Sequence, residues 1–197
     1  MKYVVALAML FFSCTFISCT YIPTGLGNTD TYPKYEQSSK FKKIFLTPQG
    51  YTFAEYYLIK QFTFNNQLYS ARVRVYNEAN VDTAYFRENK EGVVYIDPKT
   101  FIETVDLPKD PKPGQKWQEP TNWVYEVKSI DATLETPIKN WSNLIEIEAK
   151  QTTGETKDKF MKYSNFYAEG IGFVGSIVDN ELIAFFKEKV DIAQSKE

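Results

Sequence analysis

The stretch LYSARVRVYN, residues 68–77, alternates strictly: Tyr69, Ala71, Val73 and Val75 share one face, and Ser70, Arg72 and Arg74 share the other. A period of two specifies a half-buried strand, because a helix would scatter the same residues around its circumference. The run YYLIKQFTF just before it is also strand-like, and Asn65 and Asn66 between the two tolerate the positive φ of a tight hairpin turn. Further strand candidates are TAYFRE, GVVYID, TFIETVDL, NWVYEVKSI, NLIEIEAKQ and KFMKYS, cut by turn signals such as NKEG and DPK. Beyond the N-terminal segment no amphipathic pattern supports a helix of more than about three turns. The 15 Phe and 14 Tyr fit this reading, since aromatic side chains favour pleated, half-buried surfaces.

The segment LPKDPKPGQKWQEP, from Leu107 to Pro120, is too rich in proline for a central strand and is expected to cross between two groups of strands. The predicted fold is therefore mainly β: an antiparallel, strongly curved sheet or partly closed barrel over residues 41–190, followed by a tail at 191–197. At most one or two short helices are expected, and the pattern leaves room for a short one near Phe41 to Tyr57.

The N-terminus places one positive residue, Lys2, before an apolar stretch from Tyr3 to Ile17 that is too short to span a membrane and has the length of a signal-peptide core. Its ending, FISC, resembles the lipobox of bacterial lipoproteins, which makes residues 1–18 a lipoprotein signal and Cys19 the residue acylated after cleavage, a palmitate-type anchor. The match has Phe16 where Leu is usual. FFSC at Cys14 is a poorer rival, because Phe12 is bulky at a position that favours a smaller residue, and a plain secretory signal cut after Ser18 is the other alternative. Residues 19–40 carry Gly, Pro, Ser, Thr and Asn without periodicity, the composition of a flexible tether. The expected location is the cell envelope, lipid-anchored at the outer membrane, with the membrane as a partner through the acyl chains.

Gly170, Gly172 and Gly175 stand in a literal G-x-G-x-x-G spacing. A dinucleotide site needs a helix opening at the last glycine and a second parallel strand beyond it. Here SIVDNELIAFF follows, with β-branched residues and then the turn formers Asp179 and Asn180, so the glycines are read as structural parts of a hairpin and no nucleotide or other cofactor is expected. The order PKPGQKWQEPTNWVYEV, ATLETPIKNWSNLIEIEAK and KYSNFYAEGIGFVGSI resembles a pattern of Bacteroidetes-type envelope lipoproteins of uncharacterised function. The resemblance runs from about Leu107 to Phe186 through Gly114, Trp117, Trp123, Tyr125, Leu144 to Glu148, and Tyr167 with Gly170, Ile171, Gly172 and Val174. It departs in the middle, where IKNW stands in place of a small-residue turn. It implies a β-rich fold and an envelope location, and carries over no site.

With 23 basic and 25 acidic side chains and no basic run, the chain offers no track for nucleic acid. It has no histidine, which removes His-dependent catalysis and the usual zinc sites, and no calcium-loop motif, so no metal is expected. Loss of Cys14 with the signal and acylation of Cys19 would leave no cysteine nucleophile. Glu146 and Glu148 are the obvious carboxylate pair, but their spacing puts them on the strand face opposite Ile145, Ile147 and Ala149, which is how a solvated face reads. Trp117, Trp123 and Trp141 are candidates for stacking on a glycan or peptide. Trp123 is in phase with Tyr125 and Val127 and reads as core, whereas Trp141, in the polar stretch PIKNWSN, reads as exposed; Trp117 and Trp141 are kept as ligand-contact candidates. The expected function is a non-catalytic binding or structural interaction module with another envelope protein or a glycan as partner. The alternative is a carboxylate-dependent glycan hydrolase or glycan-binding lipoprotein.

Overall fold

The computed structural model describes residues 40–77, 80–120, 122–152 and 161–192. The signal, Cys14, Cys19, the tether before Lys40 and most of the tail lie outside them. Twelve strands form one sheet: β1 (Phe41–Leu46), β2 (Thr52–Phe64), β3 (Gln67–Asn77), β4 (Asn80–Asn89), β5 (Gly92–Ile96), β6 (Glu103–Pro108), β7 (Lys116–Gln118), β8 (Trp123–Glu135), β9 (Asn140–Gln151), β10 (Lys162–Ala168), β11 (Gly172–Val178) and β12 (Glu181–Asp191). Their order is β6-β5-β4-β3-β2-β1-β12-β11-β10-β9-β8-β7, so every strand lies beside its sequence neighbour except where β1 meets β12 and where β6 fails to meet β7. The result is the predicted antiparallel barrel, nearly closed, with one unsealed seam.

Local chemistry explains the turns. Asn65 and Asn66, at φ 47° and 60°, and Asp179 and Asn180, at 48° and 69°, make two-residue hairpin loops whose left-handed backbone matches the twist of the flanking strands. No helix forms near Phe41 to Tyr57, within the limit of at most one or two short helices. Thr47 and Gly50 close a turn there, with the Gly50 amide donating to the Thr47 carbonyl at 2.9 Å, and Phe53, Glu55 and Tyr57 then alternate inward along β2.

The proline-rich segment after β6 spans the seam. Across the gap the Trp117 indole Nε1 donates to the Val105 carbonyl at 2.7 Å, and its ring stacks on Tyr125 at 5.5 Å. A side chain thus does part of the work that a strand ladder does elsewhere.

Residues from both halves of the sheet fill the interior. Phe45 stacks on Phe53 at 4.8 Å and meets Phe173 at 5.4 Å, and with Phe86, Val127, Ile145, Ile147, Tyr167 and Ala184 they form the principal core. Each Phe, Val or Ile among them contributes roughly 1.5–3 kcal/mol on burial. A second cluster lies outside the wall. Phe166 and Ala168 alternate with the inward-facing Asn165 and Tyr167, and Leu134, Trp141 and Leu144 from the far part of the β8–β9 hairpin pack on them. Irregular register at Val127/Ser129, Ser129/Ala132 and Ala132/Leu134 marks where that hairpin bends.

Candidate functional site

The cavity inside the barrel begins from one charged residue in an aromatic run. Glu55 points inward between Phe53 and Tyr57 and is only 1 % exposed. Strand register places Lys43 beside it on β1 and Arg74 on β3. Lys43 Nζ lies 2.9 Å from its carboxylate, Arg74 Nε 2.8 Å and Arg72 Nε 3.8 Å. Burial alone would raise the Glu55 carboxyl, but the charges of Lys43, Arg74 and Arg72 outweigh it and hold the group well below the usual carboxylate range. Phe86 lies under the Arg72 guanidinium at 4.6 Å and Phe173 under that of Arg74 at 5.0 Å. Lys43 also donates to the Ile171 carbonyl at 3.1 Å, which ties the cluster to the β10–β11 turn.

Arg72 and Arg74 form one wall of a cavity of about 320 Å³; the facing wall comes from β5, β6, β8 and β10 and carries Tyr95, Asp106, Tyr125, Tyr163 and Asn165, with Glu119 nearby. The exposed Asp82 and Thr83 are at its rim. A narrower recess of about 70 Å³ runs from the same tyrosines toward Thr104 and Val105 at the seam. Small-ligand sites start at about 300 Å³, so this one admits a molecule of amino-acid or monosaccharide size.

The Tyr125 phenol is pushed far above its ordinary value by burial, with the neighbouring Tyr163 and Glu119 adding to the effect. Tyr163 is raised by burial, which outweighs the lowering effect of its hydrogen bond with Tyr125, and Tyr95 is raised by burial and by Asp97, Asp82 and Glu119. All three phenols therefore keep their protons and serve as neutral donors. Burial also pushes the Asp106 carboxyl up, and Arg72 and Arg74 only partly offset this.

The residues singled out from sequence lie elsewhere. Trp141, expected in an exposed turn, is buried to 8 % exposure. The reason is that β8 continues to Glu135 and β9 begins at Asn140, so Trp141 pairs with Leu134 and its ring is closed off by Phe186 and by Lys139 Nζ at 3.6 Å. No indole face remains for stacking. Trp117 is half-buried at the seam, and Trp123 is half-buried against Tyr163 at 5.2 Å. Glu146 accepts from Ser164 Oγ at 2.7 Å and Glu148 pairs with Lys162 at 2.6 Å, both on the outer face. Gly170 and Gly172, at φ 71° and 81°, flank the β10–β11 turn. Gly175 lies within β11, where a Cβ would sit 2.5 Å from Leu134 Cδ2, so the missing side chain makes room for the overlying hairpin. Among the described residues no group of three or more Cys, Asp or Glu is placed to hold a metal ion. Comparison with protein-family models, with curated proteins and with solved structures finds no match to this chain.

Proposed function

We propose that this chain is a lipid-anchored envelope protein that binds a small polar ligand inside its barrel without transforming it. The observation that carries this reading is the facing wall of the cavity: Asp106, Asn165 and the Tyr95 hydroxyl line it and make no side-chain hydrogen bond among the described residues. These groups are half-exposed to the cavity and keep hydrogen-bonding capacity that a polar ligand can take up. The test is extraction of the lipidated protein from its own membranes, followed by denaturation and mass spectrometry of the small molecules released. Wild type should release a compound that Asn165→Phe, which fills the cavity, does not; identical release from both would overturn the reading.

A second reading, a carboxylate-dependent glycan hydrolase, draws on Asp106 and Glu119 lining one cavity. It predicts turnover of aryl glycosides that disappears in both Asp106→Asn and Glu119→Gln, whereas the binding reading predicts none in wild type.

The N-terminal sequence supports anchoring through Cys19. Cys19→Ala should remain as an uncleaved precursor or release the domain into the soluble fraction, as detergent partitioning would show. A processed Cys19→Ala protein that still enters the detergent phase would rule out this anchor.

A further inference from the structure

We propose that the bends at Leu58 and Ile59 in β2 and at Ile130 in β8 rest in the surface of the bilayer that holds the acyl anchor, so that the barrel stands on this end and its cavity opens away from the lipid. This rests on the Cys19 anchor and adds an orientation to it.

The ladder builds the β2 bend. Tyr57 pairs with Arg72 and Gln61 with Ser70, so Leu58, Ile59 and Lys60 stand opposite Ala71 alone. A bulge of this kind turns the strand. Beyond it Phe62 and Phe64 reach across β3 to Tyr85 of β4, at 5.1 and 5.0 Å, which folds the hairpin over the outer wall and leaves the bend at the rim of the barrel. Turning needs no apolar side chain, yet Ile59 is 88 % exposed and Leu58 37 %. β8 repeats the arrangement. Between Ser129, paired with Glu146, and Ala132, paired with Leu144, its register shifts and Ile130 is left 46 % exposed. β8 lies an even number of antiparallel steps from β2, so the two strands run the same way and both bends fall at one end.

Single exposed apolar residues are ordinary on a protein surface. These differ in where they stand. Lys42 pairs with Tyr56, so two residues back Lys40 comes level with Leu58, and the chain from Cys19 enters the barrel beside the bend. With Cys19 only 21 positions before Lys40, the contact is in effect intramolecular, and a weak apolar insertion is enough to set the orientation. This edge carries Lys40, Lys42, Lys60 and Lys189 together with Glu188 and Asp191, so the apolar side chains make the contact and anionic lipid is not required. The opposite end also exposes apolar side chains, Tyr51 and Val81 among them. There, however, Asp82 and Thr83 stand at the cavity rim, and a bilayer against them would cover it. At the anchored end the lipid meets the β10–β11 turn, which Lys43 holds at the Ile171 carbonyl.

The experiment uses the full lipidated chain in phosphatidylcholine vesicles. Single cysteines, Ile59→Cys, Ile130→Cys and Tyr51→Cys, carry a fluorophore that is quenched either by brominated phosphatidylcholine or by aqueous iodide. The Ile59→Cys and Ile130→Cys labels should be quenched by the brominated lipid and shielded from iodide, as side chains seated at the boundary of headgroups and acyl chains are. The Tyr51→Cys label should show the reverse. Adding Ile59→Asp to Ile130→Cys should open the label to iodide while leaving the thermal midpoint in detergent unchanged, which separates a lost contact from a damaged fold. Iodide reaching either bend as freely as Tyr51→Cys would overturn the proposal. So would lipid quenching of Tyr51→Cys alone, or shielding of the bends from both quenchers, which would mean that protein covers them. Wild type, its retained cysteine acylated, should take no label and should float with the vesicles. If it does and the Ile59→Cys label stays open to iodide, the anchor stands and the orientation is wrong; if wild type takes the label or fails to float, both fall.

Discussion

Glu55→Gln should cost about 3–5 kcal/mol of stability at neutral pH, because it removes the buried carboxylate that Lys43, Arg72 and Arg74 share. The substitution keeps size and shape, so packing around Phe53 and Tyr57 stays the same and the loss is electrostatic. The pH dependence gives a second, independent readout. The folded-state pKa of Glu55 lies below its ordinary value of 4.5, so its contribution is fully present above that value and is lost as pH falls toward the folded-state pKa. Urea unfolding of wild type and variant should therefore show a wide gap at pH 7 that narrows steadily below about pH 4.5. Asp106 works in the other sense: its carboxyl is raised, so protonation relieves rather than removes stability, and its effect on the acid limb opposes that of Glu55. Equal stabilities at pH 7, or a gap that stays constant into acid, would show that the cluster does not hold the barrel together.

Gly92→Ala should be the most damaging glycine-to-alanine change among the described residues. Gly92 opens β5 with φ 132°, a backbone conformation open to glycine almost alone, and it faces the last residues of β6. An added Cβ would overlap the Leu107 carbonyl oxygen and lie 2.6 Å from the Lys109 amide nitrogen, both main-chain atoms that cannot swing aside. Strain and lost pairing together should cost about 3 kcal/mol or more, a fall in thermal midpoint on the order of 10 °C for a chain of this size. Gly170→Ala is the internal control: its φ of 71° is also left-handed, but nothing lies within 4 Å of a Cβ there, so about 1 kcal/mol is expected. Comparable losses in the two variants would mean that contact with β6 is unimportant. Amide exchange should also locate the damage, with protection lost along β5 and β6 and kept in β8 and β9.

Strands and tight turns were legible because their causes are local. Alternation in residues 68–77 and the pairs Asn65-Asn66 and Asp179-Asn180 specify strand and turn without reference to the rest of the chain. What lies inside was not legible, since it depends on how the sheet curls. In β3 the polar set, Arg72 and Arg74, faces the interior, while Tyr69 and Ala71 on the opposite face are buried by other means, Tyr69 under Phe64 at 5.5 Å and in a hydrogen bond to Glu103. Alternation alone cannot say which face turns inward. Trp141 was misplaced for a related reason: the bends that carry the β8–β9 hairpin back over the wall have no marker in KSIDATLE. Of the cavity, Asp106 sits in ETVDLP as a polar residue of a short strand, and its companions come from β3, β4, β5, β8, β10 and β11. Glu55 was the one signal available. A carboxylate in FAEYY, in phase with an aromatic on either side, shares their buried face and must find cations there.

The first strand pairs with the last, Phe41 against Asp191, while the open seam falls between β6 and β7, halfway along the run of strands. Every other ladder is a hairpin or a neighbour contact that can form as the chain emerges. The β1–β12 ladder alone must wait for the last strand, and until it forms, Phe45 and Phe53 have no Phe173 or Ala184 to cover them. This ladder is the one contact of long sequence separation in the sheet, the kind whose loop closure slows folding. A chain released before β12 would be a sticky sheet, open at both sides.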